Sequence, residues 1–344
     1  MTISTTGIAV EQAPAVDGRE PFRTALRTAV ESLPESIRHI AGYHFGWWDP
    51  DGNPEHADGG KSLRPNLVLL AGRAVGADLS QAMPAALAVE LVHNFSLLHD
   101  DVMDRDTTRR HRATAWHVFG IGPAILAGDA LVTLAFDGLA RTGARTAESA
   151  TRVLSAAVLN LVEGQTADMA FERRSDVSVP ECVAMVDRKT GALFGCSGAL
   201  GALAGDAGPG AIAGLQGFGN ALGRAFQHAD DLLGIWGDPA VTGKPAHSDL
   251  RNRKKSLPVV WALNSATPEA RALAELYGRD AELDDDDLVR AAELVESAGG
   301  RDWSRSQIDQ LFSSAMLALS GVRGEEGAVA ELRNLAASAA RRDS

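Results

Sequence analysis

From Arg19 onward, apolar residues recur at three- and four-residue spacing and strict alternation never persists, so helices are the elements through which the chain can bury a core. Ser80 to His99 (SQAMPAALAVELVHNFSLLH) is the clearest run. Further helical runs cover roughly 122–142, 148–172, 180–204, 211–237, 257–264, 268–278, 286–298 and 305–339. The break between the first two rests on Gly143 and the polar Thr146. Turn chemistry marks 49–60, 205–210 and the polar stretch 237–255, a candidate lid. No repeat of fixed period occurs. The pattern predicts an all-α fold: one helical domain over 19–340, a bundle around a buried centre, with 1–18 as a disordered tail.

The Gly- and Ala-rich stretch 191–205 is shorter than the roughly 20 apolar residues of a membrane helix. It predicts a tightly packed core helix, and no membrane span is expected. A formal charge of −12 argues against nucleic acid as a partner, because phosphates demand a basic face. Cys182 and Cys196 are the two cysteines, and the first residues lack a signal peptide's basic and apolar regions. Both features point to the cytoplasm.

The strongest chemical signal is His99-Asp100-Asp101-Val102-Met103-Asp104, at the end of an apolar helix. Asp100 and Asp104 are four apart, so their carboxylates stack on one face and repel. Acids at a helix C-terminus also oppose its dipole. Folding alone gives no reason for this arrangement, whereas a hard divalent cation such as Mg²⁺ offsets the repulsion. A second pair, Asp230-Asp231, follows another apolar helix and is preceded by Gln227. The run Asp284 to Asp287 opens a helical pattern, where acids favour the dipole, and reads as a solvated helix start.

Cations complement the acids. Of 33 basic residues only five are lysine (Lys61, Lys189, Lys244, Lys254 and Lys255), and all fall in or beside these segments. Gly59-Gly60-Lys61 with Arg64, then Arg109-Arg110, then Lys189-Thr190, Lys244 and Lys254, suggest two anionic substrates: one bridged to carboxylates by metal, one held directly. Glu90-x-x-His93 matches an element of di-iron bundles, but none of the nine histidines supplies the second copy that such a site needs.

Seven ordered motifs carry a resemblance over about residues 59–260: GGKSLRP (59–65), ELVHNFSLLHDDVMDRDTTRRHRAT (90–114), GQTAD (164–168), KTG (189–191), QHADDLLGIWGD (227–238), TGK (242–244) and SDLRNRKKSLP (248–258). The chain resembles the polyprenyl synthetase family of trans-isoprenyl diphosphate synthases. The resemblance implies an all-helical isoprenoid synthase bundle around a central active-site cavity, usually a homodimer. It implies condensation of isopentenyl diphosphate with an allylic diphosphate, using three Mg²⁺ ions. By the same resemblance Asp100 and Asp104 bind two Mg²⁺ with Asp101 in support, and Asp230 holds the third beside Asp231. Arg109, Lys189 and Lys244 grip the allylic diphosphate, with Lys189 and Thr190 at the reacting end and Gln227 nearby. Lys61, Arg64, His93 and Arg110 hold isopentenyl diphosphate, and Lys254 helps close the lid.

Two positions depart from the family pattern. The second motif usually ends in a fifth-position Asp, here Gly234; Asp238 lies roughly 12 Å further along a helix and cannot simply substitute. The arginine pair is usually followed by Gly, here His111, which should adjust a loop without removing a ligand. Two rivals share the fold. A class I terpene cyclase needs no second-substrate site, so Lys61, Arg64, His93 and Arg110 favour the synthase, while Gly234 keeps the cyclase open. A non-catalytic partner subunit should lack part of the first metal motif, which this chain keeps whole. For product length, Phe95 is the candidate tunnel floor and Ser96 its small neighbour. Together they favour the C20 product, geranylgeranyl diphosphate, with C15 farnesyl diphosphate as the alternative.

Overall fold

The computed structural model describes residues 18–55, 62–238 and 246–340. Lys61, Lys244 and the proposed tail before Gly18 lie outside the described residues. In chain order come α1 (Arg19–Glu31), α2 (Glu35–His44), α3 (Leu63–Ala74) and α4 (Leu79–Met103). A two-residue hairpin follows, β1 (Thr108–Arg109) and β2 (Arg112–Ala113). Then come α5 (Ala115–Phe119), α6 (Ile121–Ala140), α7 (Ala144–Phe171), α8 (Val179–Val186), a π turn (Asp187–Gly191) and α9 (Ala192–Ala204). The rest is α10 (Pro209–Trp236), α11 (Ser248–Arg251), α12 (Leu257–Asn264), α13 (Pro268–Tyr277), α14 (Asp285–Ser297), α15 (Gly300–Ser320) and α16 (Glu326–Ala340). The fold is all-α.

Helix α4 is buried on several sides rather than along one stripe, with Ala82, Ala86, Val89, Val92 and Leu98 all in the core. It packs against α1, α3, α5, α6, α7 and α9. Helix α9 is the tightly packed helix expected over 191–205. A Cβ at Gly198 would sit 2.1 Å from the Leu215 carbonyl oxygen, and one at Gly201 would sit 2.4 Å from that of Val68. Glycine here brings α9 into backbone contact with α10 and α3, and a larger residue would push the helices apart.

Two helical runs are broken where continuity was expected, for long-range reasons. The run 180–204 is broken by the π turn, against which α7 presents Gly164; a Cβ there would meet the Lys189 backbone nitrogen at 2.4 Å. The run 305–339 breaks between α15 and α16, because Gly324 lies against the Ala74 carbonyl and Glu325 N donates to that oxygen at 3.0 Å. Helix α6 has the length and mean hydropathy (1.4) of a membrane-crossing segment, which the sequence reading did not single out. It carries Asp129 and Asp137 and buries Ala124, Ala127, Leu131 and Ala135, while Ile121 and Leu126 remain exposed. The acidic run behaves as a solvated helix start: Asp284 caps α14 by accepting from Asp287 N at 2.8 Å.

Candidate active site

A cavity of about 480 Å³ opens between the start of α3, the C-terminal half of α4, the π turn, the end of α10 and residues 254–256. It gathers most of the predicted set on one wall or another: Arg64, His93, Ser96, Asp100, Arg109, Arg110, Lys189, Thr190, Gln227, Asp230, Asp231 and Lys254. Phe95, Asp101 and Asp104 are not among the lining residues.

On α4 the three acids are placed differently. Asp104 is the C-cap, its N–H donating to the Asp100 carbonyl at 2.8 Å, and its side chain is exposed. Asp100 faces the cavity; burial pushes its carboxyl up to about 6, with Lys189 opposing and Asp104 adding. Asp101 turns away and accepts from Arg109 Nε at 2.6 Å. Its other oxygen, Oδ2, is buried without a hydrogen-bond partner. Burial also raises Asp101 to about 6. Such a desolvated acidic set fits a hard divalent cation, whose charge inverts these shifts. Among the described residues no three such groups converge tightly enough to hold a metal ion alone.

The π turn delivers Lys189 and Thr190. Lys189 Nζ pairs with Asp168 Oδ2 at 2.6 Å. Thr190 Oγ1 donates to Gln227 Oε1 at 2.8 Å, Gln227 Nε2 donates to Asp231 Oδ1 at 2.8 Å, and Leu257 N donates to Asp231 Oδ2 at 2.8 Å. This chain ties the π turn to α10 and to the start of α12. Both oxygens of Asp231 are therefore engaged by protein donors in a fully buried setting, while its neighbour Asp230 is exposed toward the cavity. Burial pushes Asp231 up to about 7, with Lys254 opposing.

Across the cavity Arg64 lies over the Phe194 ring, 4.4 Å from its centroid, and its buried Nε has no hydrogen-bond partner. Burial lowers Arg64 to about 10, against the fields of Glu90 and Asp230. His93 Nε2 is 3.4 Å from Arg64 Nη1. Burial and the nearby arginines hold His93 far below its ordinary range, so it is neutral and can accept from Arg64. An unsatisfied guanidinium donor beside an open cavity fits an anionic ligand.

Sequence reasoning missed several contributors. Glu90, weighed only as a di-iron element, is buried beside Arg64 and accepts from Asn94 Nδ2 at 3.1 Å. Asn94 Oδ1 in turn meets His44 Nε2 at 3.2 Å, extending the network to α2. Asp168 was quoted within GQTAD without a role. Ser96 lines the cavity, but Phe95 turns toward α6, edge-on to His99 with ring centroids 4.7 Å apart. His111 shares the β1–β2 turn with Arg110, and both adopt left-handed backbone (φ 61 and 51), which explains why glycine suits the position.

A polyprenyl synthetase family model matches residues 55–295. A (2E,6E)-farnesyl diphosphate synthase of Mycobacterium bovis is 42% identical over 92% of this chain and 89% of its own length. A geranylgeranyl diphosphate synthase of Mycobacterium tuberculosis is 47% identical over 86% of this chain and 84% of its own. The crystal structure of a polyprenyl synthetase from Streptomyces coelicolor A3(2) superposes with a TM-score of 0.90 at 44% identity, covering 94% of this chain and 97% of that one. Motif, fold and similarity agree: the chain belongs to the polyprenyl synthetase family.

Proposed function

We propose that one all-helical domain, residues 19–340, joins isopentenyl diphosphate to an allylic diphosphate and forms a short-chain all-trans prenyl diphosphate. The observation that carries this reading is the meeting, in one cavity, of the acids Asp100 and Asp230 with the cations Arg64, Arg109, Arg110, Lys189 and Lys254. Cations in this number around one cavity suit two diphosphates, whereas a cyclase binds one.

In this reading Asp100 and Asp104, with Asp101 behind them, and Asp230 hold three Mg²⁺ ions together with the allylic diphosphate. When bound, the ions neutralise charge on the departing diphosphate. Asp231 supports that set by fixing Gln227 and α12. Lys189, steadied by Asp168, and Thr190 stand at the reacting end and stabilise the negative charge that develops there. Arg109 and Lys244 grip the same diphosphate. Lys61, Arg64, His93 and Arg110 orient isopentenyl diphosphate, and Lys254 helps close the lid. Apolar Leu97, Leu161, Met185 and Val186 line the same cavity and keep water from an electron-poor allylic carbon.

Relatives that make C15 and C20 products are similarly close, and Phe95 beside the small Ser96 favours C20. A homodimer is part of this reading, and Leu159, Val162 and Met169 on α7, with Ile121 and Leu126 on α6, are exposed apolar side chains that a partner could cover. Sedimentation equilibrium tests it; a monomer at micromolar concentration would oppose it. Two free, buried cysteines accord with the cytoplasm. The test of function is incubation with labelled isopentenyl diphosphate, C5, C10 and C15 allylic primers and Mg²⁺, followed by product chromatography. A linear C15 or C20 diphosphate is expected. A cyclised hydrocarbon, or no incorporation of label, would overturn the reading.

A further inference from the structure

Residue 234 lies one helical turn beyond Asp230 on the same face of α10. The family motif puts an acid there and this chain has glycine. A Cβ at Gly234 would lie 2.4 Å from Asp249 Oδ2, 2.5 Å from its Cγ and 2.8 Å from its Oδ1. The Asp249 carboxylate thus fills the volume into which a side chain at 234 would extend, and only glycine leaves it room. Its placement is built in. His247 Nδ1 is 2.7 Å from the Ile235 carbonyl oxygen, and Leu250 is fully buried in one cluster with Ile235. Asp249 itself is 8% exposed. Its carbonyl accepts Lys254 N–H at 2.9 Å, tying it to a cation that lines the cavity. Among all groups near Lys254, Asp249 does most to favour the charged ammonium.

We propose that Asp249 is a positioning residue that replaces the missing fifth carboxylate of the second motif, supplying negative charge one turn beyond Asp230 and holding Lys254 at the cavity wall. The inference rests on the reading that Asp230 holds a divalent cation. Sequence hides it, because Asp249 arrives from a separate helix, α11, packed directly against Gly234.

Calorimetric Mg²⁺ titration, with inorganic diphosphate present as probe, separates the possibilities. Asp249→Asn is isosteric and should weaken Mg²⁺ binding by at least about 10-fold, the usual cost of losing an outer-shell partner. Gly234→Asp alone should lower both affinity and melting temperature, because two carboxylates then compete for one volume. Gly234→Asp combined with Asp249→Gly returns a single carboxylate to that volume and should recover most of the wild-type affinity, a rescue that a purely structural role would not give. Wild-type Mg²⁺ affinity in Asp249→Asn would overturn the proposal. So would a double variant that binds no more tightly than Gly234→Asp, and this comparison decides if Asp249→Asn fails to fold. Asp230→Ala is the control: if it loses Mg²⁺ while Asp249→Asn keeps it, only the role of Asp249 falls; if both keep it, the metal reading falls too.

Discussion

The carboxylate of Asp231 accepts the backbone N–H of Leu257 at 2.8 Å, so one member of the second acidic pair is spent on joining α10 to α12. Its neighbour Asp230 carries no such duty among the hydrogen bonds described above. The pair should therefore separate in experiment. Asp231→Ala strands a buried N–H and should cost about 1–3 kcal/mol of stability, read as a lower denaturation midpoint. Asp230→Ala should leave the midpoint nearly unchanged and reduce turnover sharply. Equal effects on both quantities in the two variants would contradict the division of roles.

His111 holds left-handed backbone at φ 61, a conformation that costs a residue with a Cβ roughly 1–2 kcal/mol. His111→Gly relieves that strain, partly offset by the extra freedom of glycine in the unfolded chain. A rise in thermal midpoint equivalent to about 1 kcal/mol or less is expected, with turnover retained. A lower midpoint would show that the imidazole makes a contact that outweighs the strain.

Much of this was legible in the chain. Period alone identified the long helices, because 3.6-residue spacing survives wherever a helix buries any face. Scarcity of lysine singled out Lys189 and Lys254, both of which line the cavity. Other features depend on contacts distant in sequence. Asp187–Gly191 has the composition of an ordinary helix, and its π geometry accompanies the close approach of Gly164 on α7. Asp168 gains its role only when the fold sets it 2.6 Å from Lys189. Asp230 and Asp231 are alike in sequence, and only the direction α10 presents each of them tells them apart.

Acid should destabilise the fold through His44. Burial holds its pKa near 3, with Arg110 and Arg109 adding to the effect, against about 6.5 in an unfolded chain. The unfolded state then binds more protons between these values, so stability is complete above about pH 6.5 and falls as pH drops toward 3. At pH 5 this one group should cost on the order of 1–2 kcal/mol. Urea midpoints at pH 7.5 and pH 5 in wild type and His44→Gln check the sign: the variant should lose less between the two. A variant with the same or a larger loss would contradict the assignment.

Phe95 packs edge-on against His99 and lies 3.4 Å from where a Cβ on Gly128 would be, while the adjoining Ser96 faces the cavity. Phe95 thus stands behind the residues that line the cavity, between α4 and α6. Phe95→Ala should open space behind that lining and lengthen the product by at least one isoprene unit, seen by chromatography of dephosphorylated products. An unchanged distribution in a folded, active variant would place the length stop elsewhere.

The central claim is that the α4 carboxylates hold metal for diphosphate departure, and Asp100 is the acid of that set that faces the cavity. The most direct measurement is the steady-state rate of prenyl diphosphate formation by Asp100→Ala at saturating Mg²⁺, with helical circular dichroism as the folding control. We predict a loss of at least about 100-fold, the scale expected when preorganised charge stabilisation is removed, with an unchanged helical spectrum. A near-normal rate in the folded variant would contradict the account.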